Sequence, residues 1–255
     1  MKCSLIFGLS LIFLLTGCSP FSKEVDKRII AEGLSPKIIY QDAKNKADSG
    51  SLEQSIDQYK ILLESYPGSK YAIQARLDIS YNLFQLKKYN LALDQLNKFI
   101  AKYPALLVTP YAYYLRGVVA EEKSSSILDN IVTDSAQRDV ESIRDAYKYY
   151  NLLIERFPDS EYTVEAKLKL VSLKNTLSRH EFYVAIYYTN KGSFIGAINR
   201  SKFIIENYPN SNSIPDALHL MAQNYDSIGA DNLAKSTRII LKTNFPGYIQ
   251  RYKIK

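Results

Sequence analysis

Tyr208-Pro209-Asn210-Ser211 closes a stretch that opens, twelve residues before the proline, with Ala197-Ile198-Asn199-Arg200, and the arrangement recurs along the chain. Tyr66-Pro67-Gly68-Ser69 and Phe157-Pro158-Asp159-Ser160 are variants of the same turn; Tyr103-Pro104 and Phe245-Pro246-Gly247 keep the aromatic-proline pair without the serine. Twelve residues before each proline stands a small residue: Ser55, Ala92, Ala146, Ala197 and Ala234. A small side chain there lets the two helices of a hairpin approach closely. The aromatic-proline pair then ends the second helix, because proline cannot continue it and biases its predecessor away from helical backbone. Five residues before each proline the position is large and apolar, as Leu62, Phe99, Leu153, Ile204 and Leu241. Twenty-four before it, three units carry Ala43, Ala185 and Ala222.

With each proline at position 32 of a 34-residue unit, this is the tetratricopeptide pattern. Successive prolines lie 37, 54, 51 and 37 residues apart, so two units are enlarged. In the third, the extra residues fall in the Ser- and Asp-rich stretch from Lys123 to Asp139, expected as a polar loop. In the fourth they lengthen the first helix, since Glu161 to Thr189 has no Gly or Pro and keeps Val164, Leu168, Val171, Leu177, Val184 and Ile186 at helical spacing. Ser35-Pro36, Thr109-Pro110 and Ser213-Ile214-Pro215-Asp216 read as helix starts, and Ser51-Leu52-Glu53-Gln54 has the capping-box form. Gly50, Gly192 and Gly229 stand where the first helices of units one, four and five should stop. The expectation is an all-α superhelical solenoid of five helical hairpins over residues 35–255, with units at 35–68, 69–105, 106–159, 160–210 and 211–247.

Ahead of this body, Leu15-Thr16-Gly17-Cys18 follows an apolar run from Leu5 to Leu15 with one cation, Lys2, before it. That is the form of a bacterial lipoprotein signal, and the run is too short to span a bilayer. Residues 1–17 are expected to be removed. Cys18 is then the lipidation site, carrying an N-acyl group (palmitate) and S-diacylglycerol, and residues 18–34 form a polar tether. Each buried methylene is worth about 0.8 kcal/mol, so several acyl chains hold a protein permanently where one is marginal. Ser19, where Asp would mark inner-membrane retention, indicates the outer membrane on its periplasmic side. No second apolar stretch is long enough to span. Cys3 leaves with the signal, so no thiol remains for a disulfide or metal.

The ten Gly and nine Pro are few for 255 residues, and the 21 Tyr stand beside no Trp. The net charge of +7 would raise nucleic acid as a partner in a cytoplasmic protein. An exported lipoprotein makes anionic lipid, an acidic protein or a merely solvated surface the simpler readings. Catalysis is not expected: His180 and His219 lie in different repeats, without Ser-His-acid or metal spacing, and no Gly-rich phosphate loop occurs. No metal or cofactor is expected.

The fourth unit is distinctive. Lys169-Leu170-Val171-Ser172-Leu173-Lys174-Asn175-Thr176-Leu177, Glu181-Phe182-Tyr183-Val184-Ala185, Tyr187-Tyr188-Thr189, Gly192 and Ala197-Ile198-Asn199-Arg200 resemble the BamD family of outer-membrane assembly lipoproteins. The likeness extends over nearly the whole mature chain, including Tyr114-Leu115-Arg116-Gly117. It implies a non-catalytic scaffold of the β-barrel assembly (BAM) complex, which inserts proteins into the outer membrane. The implied partners are a barrel insertase with periplasmic POTRA repeats, accessory subunits and unfolded outer-membrane proteins. The resemblance also implies that Arg200, with Asn199, meets the insertase, an apt role for a planar cation facing a carboxylate; the alternative is that Arg200 pairs within its own repeat. The first two units would receive substrate, with Tyr40, Tyr71 and Tyr81 as flat amphipathic contacts beside Tyr59, or else as ordinary packing residues. Tyr252-Lys253-Ile254-Lys255 departs from the family's pattern, and no accessory contact is carried onto it. Signal and repeats would equally fit a different periplasmic repeat lipoprotein serving envelope or cell-wall machinery.

Overall fold

The computed structural model describes residues 33–126 and 140–254. The expected signal peptide, the expected lipidation site Cys18, nearly all of the expected tether and residues 127–139 lie outside that range. Ten helices are described: α1 Pro36–Asp48, α2 Leu52–Ser65, α3 Lys70–Gln85, α4 Tyr89–Lys102, α5 Thr109–Ser126, α6 Val140–Arg156, α7 Tyr162–Asn190, α8 Phe194–Asn207, α9 Ile214–Ser227 and α10 Asp231–Asn244. Each consecutive pair packs as a hairpin, giving a five-hairpin all-α solenoid.

The repeat positions have one physical meaning throughout. Ser55, Ala92, Ala146, Ala197 and Ala234 are each 0% exposed. Five residues before each proline, Leu62, Phe99, Leu153, Ile204 and Leu241 are buried. Their carbonyls accept, in the same order, the amides of Tyr66, Tyr103, Phe157, Tyr208 and Phe245 at 2.8–2.9 Å, so the aromatic before proline makes the last bond of each second helix.

The hairpin turns share a second device. Gly50, Gly192 and Gly229 take φ of 82°, 73° and 71°, and in unit two Lys87 takes φ 57° with no glycine to mark it. Each lets the next amide reach back to a carbonyl five residues earlier: Ser51 to Lys46, Lys88 to Leu83, Ser193 to Tyr188 and Ala230 to Tyr225, all at 2.9 Å.

Some expected details differ. Ser51 makes no side-chain capping bond, and the neighbouring Glu53 pairs with Lys88 at 2.7 Å. Thr109 begins α5 and donates its hydroxyl to the carbonyl of Tyr103 at 2.6 Å, as Thr163 does to Phe157 at 2.9 Å, so these threonines tie a first helix to the preceding turn. Lys123 to Ser126 are helical and belong to α5, because the hydroxyls of Ser124 and Ser125 bond to carbonyls three residues back and leave the helix intact.

Helix α7 runs 29 residues, about eight turns. Its partner α8 has 14 and covers only half of it. The helical spacing in the first half is therefore not a core stripe: Val164, Leu168 and Val171 are 71%, 69% and 56% exposed, while Leu177 is buried.

The first helices of successive hairpins (α1, α3, α5, α7, α9) touch one another, whereas successive second helices touch weakly or not at all. First helices therefore line the inner side of the curve.

Candidate functional site

On that inner side, α3, α5 and the start of α7 enclose an open cleft of about 470 Å³. Leu77 and Asp78 lie along one wall with Tyr81, which is 43% exposed. Opposite stand Tyr111, Tyr162 and Leu107, the last 98% exposed. Tyr162 contacts Tyr111 with ring centroids 5.7 Å apart and stacks on Tyr114 at 5.2 Å. An exposed leucine among half-buried aromatic rings is the make-up of a surface that binds apolar side chains.

Of the three tyrosines expected to meet substrate, Tyr81 borders this cleft. Tyr40 and Tyr71 pack behind it: their rings lie 5.5 Å apart, and Tyr40 also meets the fully buried Tyr59 at 5.6 Å. Tyr40 donates to Asp78 Oδ2 at 2.8 Å while Gln74 donates to Asp78 Oδ1 at 3.0 Å, so both carboxylate oxygens beside the cleft are engaged. Burial, then the neighbouring Asp78 charge, pushes the Tyr40 hydroxyl well above its usual range, and burial pushes Tyr111 up to about 12. The phenols thus remain neutral donors.

Tyr111 and Tyr162 were not singled out from sequence. The signal was present: Tyr71, Tyr111 and Tyr162 each stand two residues after the Ser or Thr that opens a first helix (Ser69, Thr109, Ser160). The cleft collects the second, third and fourth units because inner-face positions of adjacent hairpins converge.

Arg200 lies on α8, half exposed, and its Nη1 donates to Glu181 Oε2 at 2.8 Å. Arg144 on α6 donates to the other oxygen, Oε1, at 3.0 Å. Glu181 is 2% exposed, so this single buried carboxylate is satisfied by two cations from flanking helices. Arg200 therefore does pair within its own repeat. At 42% exposure its side chain is still partly open to solvent, and Asn199 beside it is exposed. The two expected regions are separate: the inner face belongs to α3, α5 and α7, and the arginine pair to α6 and α8.

Among the described residues no group of three or more His, Cys, Asp or Glu is placed to hold a metal, and no helix is long and apolar enough to cross a membrane. His219 instead faces an aromatic segment: its Nδ1 lies 3.0 Å from the Tyr252 hydroxyl.

Residues 33–240 match the family described as YfiO, outer membrane lipoprotein. The outer membrane protein assembly factor BamD of Neisseria meningitidis (serogroup A) is 32% identical over 95% of this chain and 91% of its own length. The protein of the same name from Xylella fastidiosa (strain Temecula1) is 28% identical over 94% of this chain and 81% of its own. Among solved structures, YrrB, described as a TPR protein with an unusual peptide-binding site, overlaps 89% of this chain and 94% of its own at 15% identity and a TM-score of 0.39.

Proposed function

The chain belongs to the YfiO family of outer membrane lipoproteins, and from that membership we propose that it is a scaffold of the machinery that inserts β-barrel proteins, held by lipid on Cys18 and facing the periplasm. As an outer membrane protein assembly factor it binds and positions other polypeptides and catalyses no reaction.

Two surfaces divide the work in this reading. The inner cleft receives unfolded barrel segments, because a strand of a transmembrane barrel alternates apolar and polar residues and the rings of Tyr81, Tyr111 and Tyr162 around Leu107 accept the apolar ones. The α6–α8 face meets the POTRA region of the insertase through Arg200 and Asn199. The observation that carries the reading is the apolar-aromatic cleft on the inner face of a family member built of peptide-sized hairpins. Glu181 acts here as a brace, fixing the Arg200 fork so that less rotamer freedom is lost on docking.

Affinity purification of the acylated protein from gently solubilised envelopes tests it. A large β-barrel protein with POTRA repeats should co-purify in near-stoichiometric amount. Recovery of cell-wall or inner-membrane machinery without such a barrel overturns the reading.

A further inference from the structure

The inner face of α7 and α9 should carry the same kind of cleft as α3, α5 and α7, yet most of it is covered. After α10 the chain turns at Phe245 and Pro246 and runs back across these two first helices as residues 248–254, without regular secondary structure. The segment alternates: Arg251 and Lys253 are exposed, while Tyr252 and Ile254 are partly buried against the cluster of Phe182, Ala185, Ile204, Ala217 and Leu220. Two residues two apart facing one side is the pattern of an extended strand.

Each inward or pairing side chain has a receiver on the first helices. The Tyr252 ring meets Phe182 edge-on at 4.9 Å, and its hydroxyl lies 3.0 Å from His219 Nδ1 and 3.3 Å from Gln223 Oε1. Arg251 Nη2 donates to Asp216 Oδ2 at 2.9 Å, and Tyr248 donates to Asp216 Oδ1 at 2.9 Å. Among the described residues no backbone–backbone hydrogen bond joins 249–254 to the helices. The segment contributes only its side chains to the attachment, Arg251 Nη2 also donating to the Asn212 carbonyl at 3.3 Å, so its hold depends on side-chain order and not on a backbone ladder. A cavity of about 510 Å³ lies open beside Tyr252, walled by Ser172, Asn175, Thr176 and Arg179 of α7. Residues 248–254 therefore leave part of this face open.

We propose that the inner face of α7 and α9 is a second binding site for extended polypeptide, selecting an aromatic residue and an aliphatic residue two positions on, with a cation just before the aromatic, and that residues 249–254 occupy it as an internal competitor. That the natural ligand is an unfolded barrel strand rests on the function proposed above; the site and its occupancy do not. A ligand must displace the segment, so its apparent affinity is lowered by the fraction of molecules in which the site is closed.

The test uses the full chain and, as probe, a fluorescein-labelled peptide of residues 247–255. Anisotropy titration should show the double variant Tyr252→Ser, Ile254→Ser binding the probe about ten-fold or more tighter than the unaltered chain. A probe carrying the same two serine changes should not bind, and adding Asp216→Asn to the variant should weaken binding. Equal affinity of variant and unaltered chain overturns the proposal. An unrelated peptide with the same cation-aromatic-x-aliphatic order should displace the probe; if only the chain's own sequence binds, the segment is a structural latch and the binding site is refuted. A second measurement needs no variant. Trypsin cleavage after Arg251 in the unaltered chain should accelerate when the unrelated peptide is added, and an unchanged rate counts against displacement. None of these outcomes depends on which insertase co-purifies, so this proposal and the assembly reading fail separately.

Discussion

The inner faces of the two halves of this solenoid are built alike and used differently. Between α3, α5 and α7 the face is open, with Leu107 almost wholly exposed beside Tyr81 and Tyr162. Between α7 and α9 it is filled by the chain itself, through Tyr252 and Ile254. A helical-hairpin repeat thus fixes where an inner cleft forms, while the residues that reach that place decide whether it stays open. Helix α7 belongs to both faces, its first turn bordering the open one and Phe182 the filled one.

The largest loss is expected at the hairpin under the open face. A Cβ added at Gly117 would lie 2.5 Å from Tyr150 Cε1, and Tyr150 is 0% exposed with its hydroxyl bonded to Glu121. Gly117→Val should therefore cost about 1–3 kcal/mol or more, and a thermal melt should show the midpoint falling several degrees. A midpoint equal to the unaltered chain would mean the ring moves aside freely.

Next in size is the brace beside the filled face. Glu181→Ala removes a buried carboxylate and leaves Arg144 and Arg200 uncompensated. Because both arginines are about half exposed, water screens them, and the cost is roughly 1–2 kcal/mol, read by denaturant midpoint. Reversal at Arg200 would be a poor probe of partner binding, since it sets a second carboxylate against Glu181. Arg200→Lys keeps the charge and removes the planar fork, so a large drop in insertase affinity without a change in melting would assign the fork to the partner.

Smaller in stability, though not in binding, is a change at the open face. Tyr81→Ser with Leu107→Ser alters exposed side chains and should shift stability by no more than about 0.5 kcal/mol, yet reduce binding of an alternating aromatic-aliphatic peptide there. Retained binding would move the open site elsewhere.

The smallest effect concerns pH at the filled face. Burial, then the nearby Arg238 charge, holds the His219 imidazole below its ordinary value, with Asp216 opposing and Tyr248 and Tyr252 as its ring neighbours. A depressed folded value means that the neutral ring's contribution is complete above about pH 6.5 and is lost as pH falls through the folded value. Melting midpoints of the unaltered chain should drop more between pH 7.5 and pH 5 than those of His219→Gln. Parallel curves would mean that His219 does not help to hold the segment in place.

Much of this was legible in the residues. The aromatic-proline turns, the small residue twelve positions earlier and the three glycines at positive φ determine hairpins, because backbone sterics act within a few residues and leave one outcome. Lys87 escaped, since a lysine in the left-handed region carries no compositional mark and is held there by its hairpin. The stripe of Val164, Leu168 and Val171 misled for the opposite reason: periodicity tells which residues share a face, and the length of α8 decides whether that face is covered.

The residues alone were enough for the helical-hairpin repeat and for the family resemblance that leads to an assembly factor. Only the tertiary structure decided that Tyr81 joins Tyr111 and Tyr162, that Arg144 and Arg200 share Glu181, and that residues 249–254 lie across α7 and α9. Each of those contacts joins residues about twenty to eighty positions apart. Their meeting depends on how successive hairpins curve, a sum of small packing offsets that no local pattern encodes.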